Sequence, residues 1–316
     1  MSIAIESSAA EAGVRNNPRA AVVCCACRVC GYETAAPAPC DLGAARGNTA
    51  RFIHTYFRLW KCPRCQTIRA LEELDHRAMY EEYPLRKLRL DALTRGTLGN
   101  LLKRLRQAGL QRTDTILDYG CGNGLFVEFL KARGYTNVSG YDPYVPEFAA
   151  PPAPHSRYDC VVANDVLEHC EDPRAFLRAC AAPLKPGGLL YIGTSDSEGV
   201  EMHALEPHLM RLHLPFHRTI LNQERLYALV QELGLQRVRA WRRSYMDTWR
   251  PFANYRFLDE FNKVFEHNLD RALNSATPWI ILGNPRVFFY AFFGYFFPTA
   301  YEPAVAVRKS DGAKNG

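Results

Sequence analysis

The chain predicts an α/β fold: a doubly wound, mainly parallel sheet covered by helices on both faces, preceded by a small metal-held unit. Three observations carry this. Between residues 113 and 245 short β-rich runs alternate with amphipathic helical runs, the pattern of strands joined by crossover helices. Upstream lie two Cys-x-x-Cys pairs, Cys27/Cys30 and Cys62/Cys65. The chain has 316 residues, of which 47% are apolar and 23% charged, so it holds enough apolar surface for a large core and is not disordered throughout.

In order along the sequence, residues 1–20 are rich in small residues and lack apolar periodicity, which predicts a disordered tail. They also lack a basic start followed by an apolar run, so the expected compartment is the cytoplasm. Residues 21–70 are rich in Cys, Gly and Pro and predict a ribbon-like unit. Residues 71–112 form a helical linker, with Leu98, Leu101, Leu102 and Leu105 on one face for packing against the core.

The main domain runs over 113–309. Thr115 to Leu117 reads as a buried strand, Leu125 to Arg133 as a helix closed by Gly134, Val138 to Tyr141 as the second strand and Asp159 to Ala163 as the third. A helix then opens with Asp172 as cap and Pro173 in its first turn. Leu189 to Ile192 is a strand, Asn222 to Leu233 a helix ending at Gly234, and Val238 to Tyr245 a further strand. An aromatic-rich helical insertion fills 246–300, Ala304 to Val307 is the last strand, and 310–316 is a polar tail.

A formal charge of +6 suggests a soluble globular protein rather than a basic nucleic-acid coat or a polyanion, and its distribution is uneven. Residues 51–112 carry 14 basic and 6 acidic side chains, residues 113–200 carry 6 and 12, and residues 201–316 carry 15 and 11. Arg86, Lys87 and Arg89 read as a solvated face, which argues against nucleic acid as the partner.

In a reducing compartment two Cys-x-x-Cys pairs read as metal ligands before disulfides, and the odd total of 11 cysteines agrees. Cys27, Cys30, Cys62 and Cys65 offer the four thiolates of a structural Zn²⁺ site, with Cys24 as a competitor for Cys27. Such a closed site staples the chain and activates no water. Cys121, Cys160, Cys170 and Cys180 read as small buried hydrophobes.

Asp118-Tyr119-Gly120-Cys121-Gly122-Asn123-Gly124 lies between a predicted strand and a predicted helix. Leu125 and Phe126 stand where a P-loop needs Lys and Ser or Thr, which excludes nucleoside-triphosphate chemistry. The acidic Asp118 would repel a pyrophosphate, whereas a zwitterion suits the loop: an ammonium for Asp118 and a carboxylate for the helix start. Asp142, 24 residues on at the end of the second strand, can accept two ribose hydroxyls.

Together with Tyr158 to His169 (YDCVVANDVLEH) and Leu184 to Leu190 (LKPGGLL), these motifs over residues 113–194 resemble the core of class I S-adenosylmethionine-dependent methyltransferases, in the ubiquinone-biosynthesis-like branch. The resemblance implies the Rossmann-like fold of that class and S-adenosylmethionine as cofactor. It places Asp118, Tyr119, Gly120, Cys121, Gly122, Gly124, Asp142, Asn164 and Asp165 around that cofactor. One departure stands out: Pro143 to Arg157 is too short for the usual helix and third strand, so the adenine contact is unassigned. The resemblance also places substrate-facing residues in the segment 201–219, where His217 is the first candidate for a general base and His213 the second, ahead of His203 and His208.

The expected reaction is O- or C-methylation of a small-molecule acceptor, hydrophobic, lipid-linked or of the sugar and secondary-metabolite type. A silent methyltransferase-fold interaction protein and a zinc-anchored nucleic-acid methyltransferase are the alternatives. Residues 279–297 (WIILGNPRVFFYAFFGYFF) are broken by Asn284, Pro285 and Arg286, so they do not span a membrane. They read as a lid over the acceptor or a homodimer contact, or as a peripheral membrane contact. The last strand, which must draw the segment back onto the sheet, favours the lid or dimer.

Overall fold

The computed structural model describes residues 25–80, 83, 88–152, 157–246, 248–274, 278–298 and 301–309. Both expected tails, Cys24, Arg86 and Lys87 lie outside the described residues. Strands β1 (Cys25–Ala26) and β2 (Glu33–Thr34) pair across the first cysteine turn. They are followed by the antiparallel meander β3 (Leu42–Arg46), β4 (Tyr56–Lys61) and β5 (Ile68–Ala70), with the second cysteine pair in the β4–β5 turn. No strand was expected here from the sequence. Phe57, Leu59 and Trp60 are all buried, so β4 lacks the strict alternation that would have marked it.

Helix α1 (His76–Tyr80) leads to α2 (Ala92–Gln107), which starts where the Asp91 carboxylate accepts from the Thr94 N–H and buries Leu101, Leu102 and Leu105. Then come β6 (Ile116–Tyr119), α3 (Leu125–Ala132), β7 (Val138–Tyr141), β8 (Tyr158–Asn164), α4 (Pro173–Ala181) and β9 (Leu184–Gly193). Asp172 caps α4 through the Ala175 N–H. Strands β7, β6, β8 and β9 lie side by side and parallel. Between β7 and β8 the described residues hold only a short turn at Pro146–Phe148, so β7 is the edge of the sheet, as the short connection implied.

After β9 come α5 (Leu209–Leu212), β10 (Thr219–Ile220), α6 (Gln223–Glu232) and β11 (Leu235–Arg243). The aromatic insertion folds as α7 (Tyr255–Val264), α8 (Leu269–Asn274), α9 (Pro278–Gly283) and α10 (Pro285–Phe293), and β12 (Glu302–Lys309) follows. Strand β12 inserts antiparallel between β9 and β11, which completes the six-stranded order β11-β12-β9-β8-β6-β7. Its unbroken buried run from Pro303 to Val307 is what a strand with neighbours and cover on both sides requires.

The four-stranded sheet has the order β10-β5-β4-β3. Thr219 pairs with Arg69 and Ile220 with Ile68, so the cysteine-bearing region is hydrogen-bonded to the segment that carries His213 and His217. Cys25, Cys27, Trp60 and Cys62 also share one apolar cluster with Leu117, Val161, Leu190 and Leu226 of the large sheet and its helix layer. The opposite face of that sheet is covered by α2 and α3 through Leu102, Leu105, Phe126, Phe129 and Leu130.

Candidate functional site: glycine loop, histidine cluster and cysteine centre

The four predicted cysteines meet in space, each offering a sulfur within 4.8 Å of the others. Cys27 and Cys65 Sγ are 3.6 Å apart, as are those of Cys30 and Cys62. A tetrahedron with Zn–S bonds of about 2.3 Å has edges of roughly 3.8 Å, so the donor set fits Zn²⁺. The two turns are built alike. The residue after each second cysteine is left-handed, Gly31 at φ 72° and Gln66 at 59°, and its N–H bonds back to the first cysteine's carbonyl, Gly31 to Cys27 and Gln66 to Cys62, both at 2.8 Å. The Cys65 thiol is drawn down to about 4, chiefly by the hydrogen bond with Cys27, and burial pushes Cys62 up to about 12. One thiolate therefore forms readily, while further ones need a cation in their midst.

At the carboxyl end of β6, Gly120, Gly122 and Gly124 all adopt positive φ. A Cβ on Gly120 would lie 2.6 Å from Val166, and one on Gly140 2.7 Å from Cys121 Sγ, so neither position admits a side chain. Asp142 secures the loop: its Oδ2 accepts from the Gly122 N–H at 3.0 Å and its Oδ1 from the Tyr144 N–H at 2.9 Å. Asp118 is buried, and burial together with the Asp142 charge pushes its carboxyl up to about 7. A site that makes a carboxylate this reluctant to ionise suits an incoming ammonium, which would reverse the penalty. The turn after Asp142 folds Phe148 onto the loop, with its ring 2.6 Å from where a Gly124 Cβ would stand. Cys121 itself is buried and Tyr119 stacks edge-on against Tyr141.

Asn164 and Asp165 lie at the adjoining end of β8, where Asn164 Nδ2 donates to Asp165 Oδ2 at 2.8 Å. Asp165 takes a left-handed φ of 59° and is ion-paired to Arg243, which is 2% exposed and also 3.1 Å from Glu302. The sequence reading placed Asp165 among the cofactor-facing residues but did not see that a buried arginine from β11 and a glutamate from β12 hold it. The signal was present only as an arginine and a glutamate on strands whose pairing the sequence did not specify.

His213 and His217, chosen from the sequence, come together with His169, and the ring centroids of His217 lie 4.8 Å from His169 and 5.2 Å from His213. His203 is exposed and pairs with Glu201, apart from this group. His217 Nδ1 is 2.8 Å from the Arg211 carbonyl and His213 Nδ1 is 2.9 Å from Asn48 Oδ1. A carbonyl only accepts, so Nδ1 of His217 carries the proton and its Nε2 keeps a lone pair. Burial, with His217 or His169 as a like-charged neighbour, holds both rings well below the ordinary histidine range, hence neutral at pH 7.

Aromatic rings that the sequence reading did not select line this cluster. Tyr80 stacks on Tyr144 at 4.6 Å, Tyr83 packs on Phe216 at 4.7 Å, and Tyr80 Oη is 2.7 Å from His169 Nδ1. Glu168, His169 and His217 could also gather a cation, but the Glu168 carboxylate is taken by Thr194 Oγ1 at 2.7 Å and by the Ser195 N–H and Oγ at 3.3 Å.

Comparison with known proteins agrees with this geometry. A family profile described as a methyltransferase domain matches residues 90–240. A ubiquinone biosynthesis O-methyltransferase from Marinobacter nauticus is 33% identical over 102 residues, 25% of this chain and 42% of that protein. One from a Bradyrhizobium species is 37% identical over 99 residues, 25% and 39% respectively. The chain thus spans about two fifths of the length of these curated relatives. The Burkholderia thailandensis 1,6-didemethyltoxoflavin-N1-methyltransferase, solved with S-adenosylhomocysteine, aligns at 15% identity over 81% of this chain and 96% of its own, with a TM-score of 0.42. The glycine loop, the strand-end acids and the matched profile fall on the same stretch, so residues 90–240 of this chain are similar to a methyltransferase domain.

Proposed function

We propose that the chain transfers a methyl group from S-adenosylmethionine to a hydroxyl of a small, ring-bearing acceptor. The observation that carries this reading is the neutral His213–His217 pair, held in an aromatic box next to the strand ends that bear Asp142 and Asp165. The cofactor, when bound, supplies an electrophilic methyl group on a sulfonium.

The chain's residues do the rest. Asp118 receives the ammonium, the Gly120–Gly124 loop admits the carboxylate against its main chain, and Asp142 has carboxylate lone pairs for ribose hydroxyls. Tyr80, Tyr83 and Tyr144, packed on the buried Phe216, would part to stack on a planar acceptor and exclude water. His217 Nε2 takes the acceptor's hydroxyl proton as the oxygen attacks, and its Nδ1–H stays on the Arg211 carbonyl, which fixes the ring. The relatives' printed activity, O-methylation in ubiquinone biosynthesis, supports an oxygen acceptor over carbon.

In this reading the Cys27, Cys30, Cys62 and Cys65 centre holds Zn²⁺ and has a structural role only. The test is calorimetric titration with S-adenosylmethionine, followed by a methyl-transfer screen over catechols, other phenols and sugar nucleotides. Turnover on a phenolic hydroxyl that His217→Ala abolishes supports the assignment. Turnover unchanged by that substitution refutes it.

A further inference from the structure

The aromatic insertion is folded inside out by the standards of a water-facing helix. On α10 the small residues Val287 and Ala291 are buried against Phe257 of α7, and Gly294 just beyond is buried too, close to Asn254. The large ones point away: Phe288, Phe289, Phe292 and Phe293 are all exposed. Trp279 is 76% exposed and Phe296 69%, and Leu282, Tyr295, Phe297, Trp249 and Tyr301 are exposed as well. Water selects the reverse arrangement, with bulky apolar residues inward, and monomeric proteins seldom leave so many neighbouring aromatics uncovered.

The charge around this face is one-sided. From residue 271 to residue 301 the sequence contains no Asp or Glu, and its charged residues are Arg271 and Arg286. Both are exposed, as is Arg250 beside Trp249. Arg286 bridges to Glu260 at 2.9 Å yet keeps its side chain 63% exposed. Exposed Trp, Tyr and Phe with the exposed Arg271, Arg286 and Arg250 beside them are the composition that settles at the headgroup level of a bilayer carrying anionic lipid. A second copy of the same face would set Arg271 and Arg286 against their own like. No helix among the described residues is long and apolar enough to cross a membrane, so the contact is superficial.

We infer that α9, α10 and the turn at 294–297 rest on the surface of an anionic phospholipid bilayer. The sequence alone had favoured a lid or dimer contact. The structure turns the phenylalanines outward, away from the α7 helix on which they would otherwise close. Helix α8, which precedes this face, is tied to the histidine cluster: the Leu269 N–H donates to the Asn48 carbonyl at 2.8 Å, and Asn48 Oδ1 meets the His213 ring.

The inference does not depend on methyl transfer, so its test can be read without turnover. Full-length protein is mixed with phosphatidylcholine vesicles, with and without phosphatidylglycerol, and followed by co-sedimentation and tryptophan emission. Partition onto the anionic vesicles with a blue shift is expected. Trp279→Ser/Phe293→Ser/Phe296→Ser should weaken it at least about tenfold, with unchanged melting temperature and cofactor affinity. Arg271→Glu, which leaves every aromatic in place, should weaken it roughly fivefold or more and serves if the triple variant does not fold. No partition onto either vesicle overturns the inference. So does a concentration-dependent dimer in light scattering that the same substitutions dissolve while lipid binding is absent.

Discussion

Asp118 is the residue whose chemistry is most exposed to test. Its carboxyl is pushed up to about 7 in the folded chain, so the fold favours the protonated form. The sign follows: stability of the unliganded protein falls as pH rises from the ordinary carboxyl range to about 7, then levels off. If Asp118 receives the cofactor's ammonium as proposed, binding needs the carboxylate, so affinity should rise up to about tenfold per pH unit below 7 and plateau above, with proton uptake or release measurable by calorimetry in buffers of different ionisation enthalpy. Asp118→Asn should raise the melting temperature of the free protein at pH 8 while abolishing cofactor binding. A variant that loses stability there would show that the buried carboxylate is compensated. His217→Ala should lower kcat by about 10² to 10⁴ with the cofactor Kd unchanged, which single-turnover and equilibrium measurements separate.

At the scale of elements, the strand–helix rhythm and the caps were legible because each rests on local chemistry. Asp172 caps as expected through the Ala175 N–H, Asn222, read as the first residue of its helix, caps it through the Arg225 N–H, and Gly134 and Gly234 turn at φ 83° and 72° just past their helices. The cysteine spacing likewise announced two knuckles. Pairing across long separations was not legible. The insertion of β12 between β9 and β11 brings Glu302 to Arg243 and Arg243 to Asp165, three residues spread over more than 130 positions.

Burial pushes Glu302 up to about 8 and raises Asp165, each opposed by Arg243. Arg243→Met should therefore cost about 3–5 kcal/mol of stability, because it leaves two buried carboxyls facing each other. Denaturant titration of this variant and of the Arg243→Met/Glu302→Leu pair checks this: the double variant should recover much of the loss. The aromatic box was hidden for a similar reason, since Tyr80, Tyr144 and Phe216 come from three separate segments.

Over the whole molecule, the chain is tied together where sequence composition suggested a seam. The ribbon-like region shares its sheet with β10 and its apolar cluster with the large sheet. Cys62→Ser should accordingly release zinc, measured by metal analysis, and lower the melting temperature of the entire chain in one transition. Two separate transitions would mean that the units fold independently.

The junction of β5 with β10 has a consequence for the living cell. The strand completed by Thr219 and Ile220 follows His217 in the four-stranded sheet, whereas Asp118 and Asp142 stand at the ends of the parallel strands β6 and β7 in the six-stranded one. Loss of a metal held by the four cysteines should then disturb the strand beside His217 through its hydrogen bonds, and reach Asp118 and Asp142 through the shared apolar cluster. If the four cysteines hold zinc and the proposed reaction is the chain's own, micronutrient supply would throttle that reaction in a zinc-starved cell without any dedicated regulator.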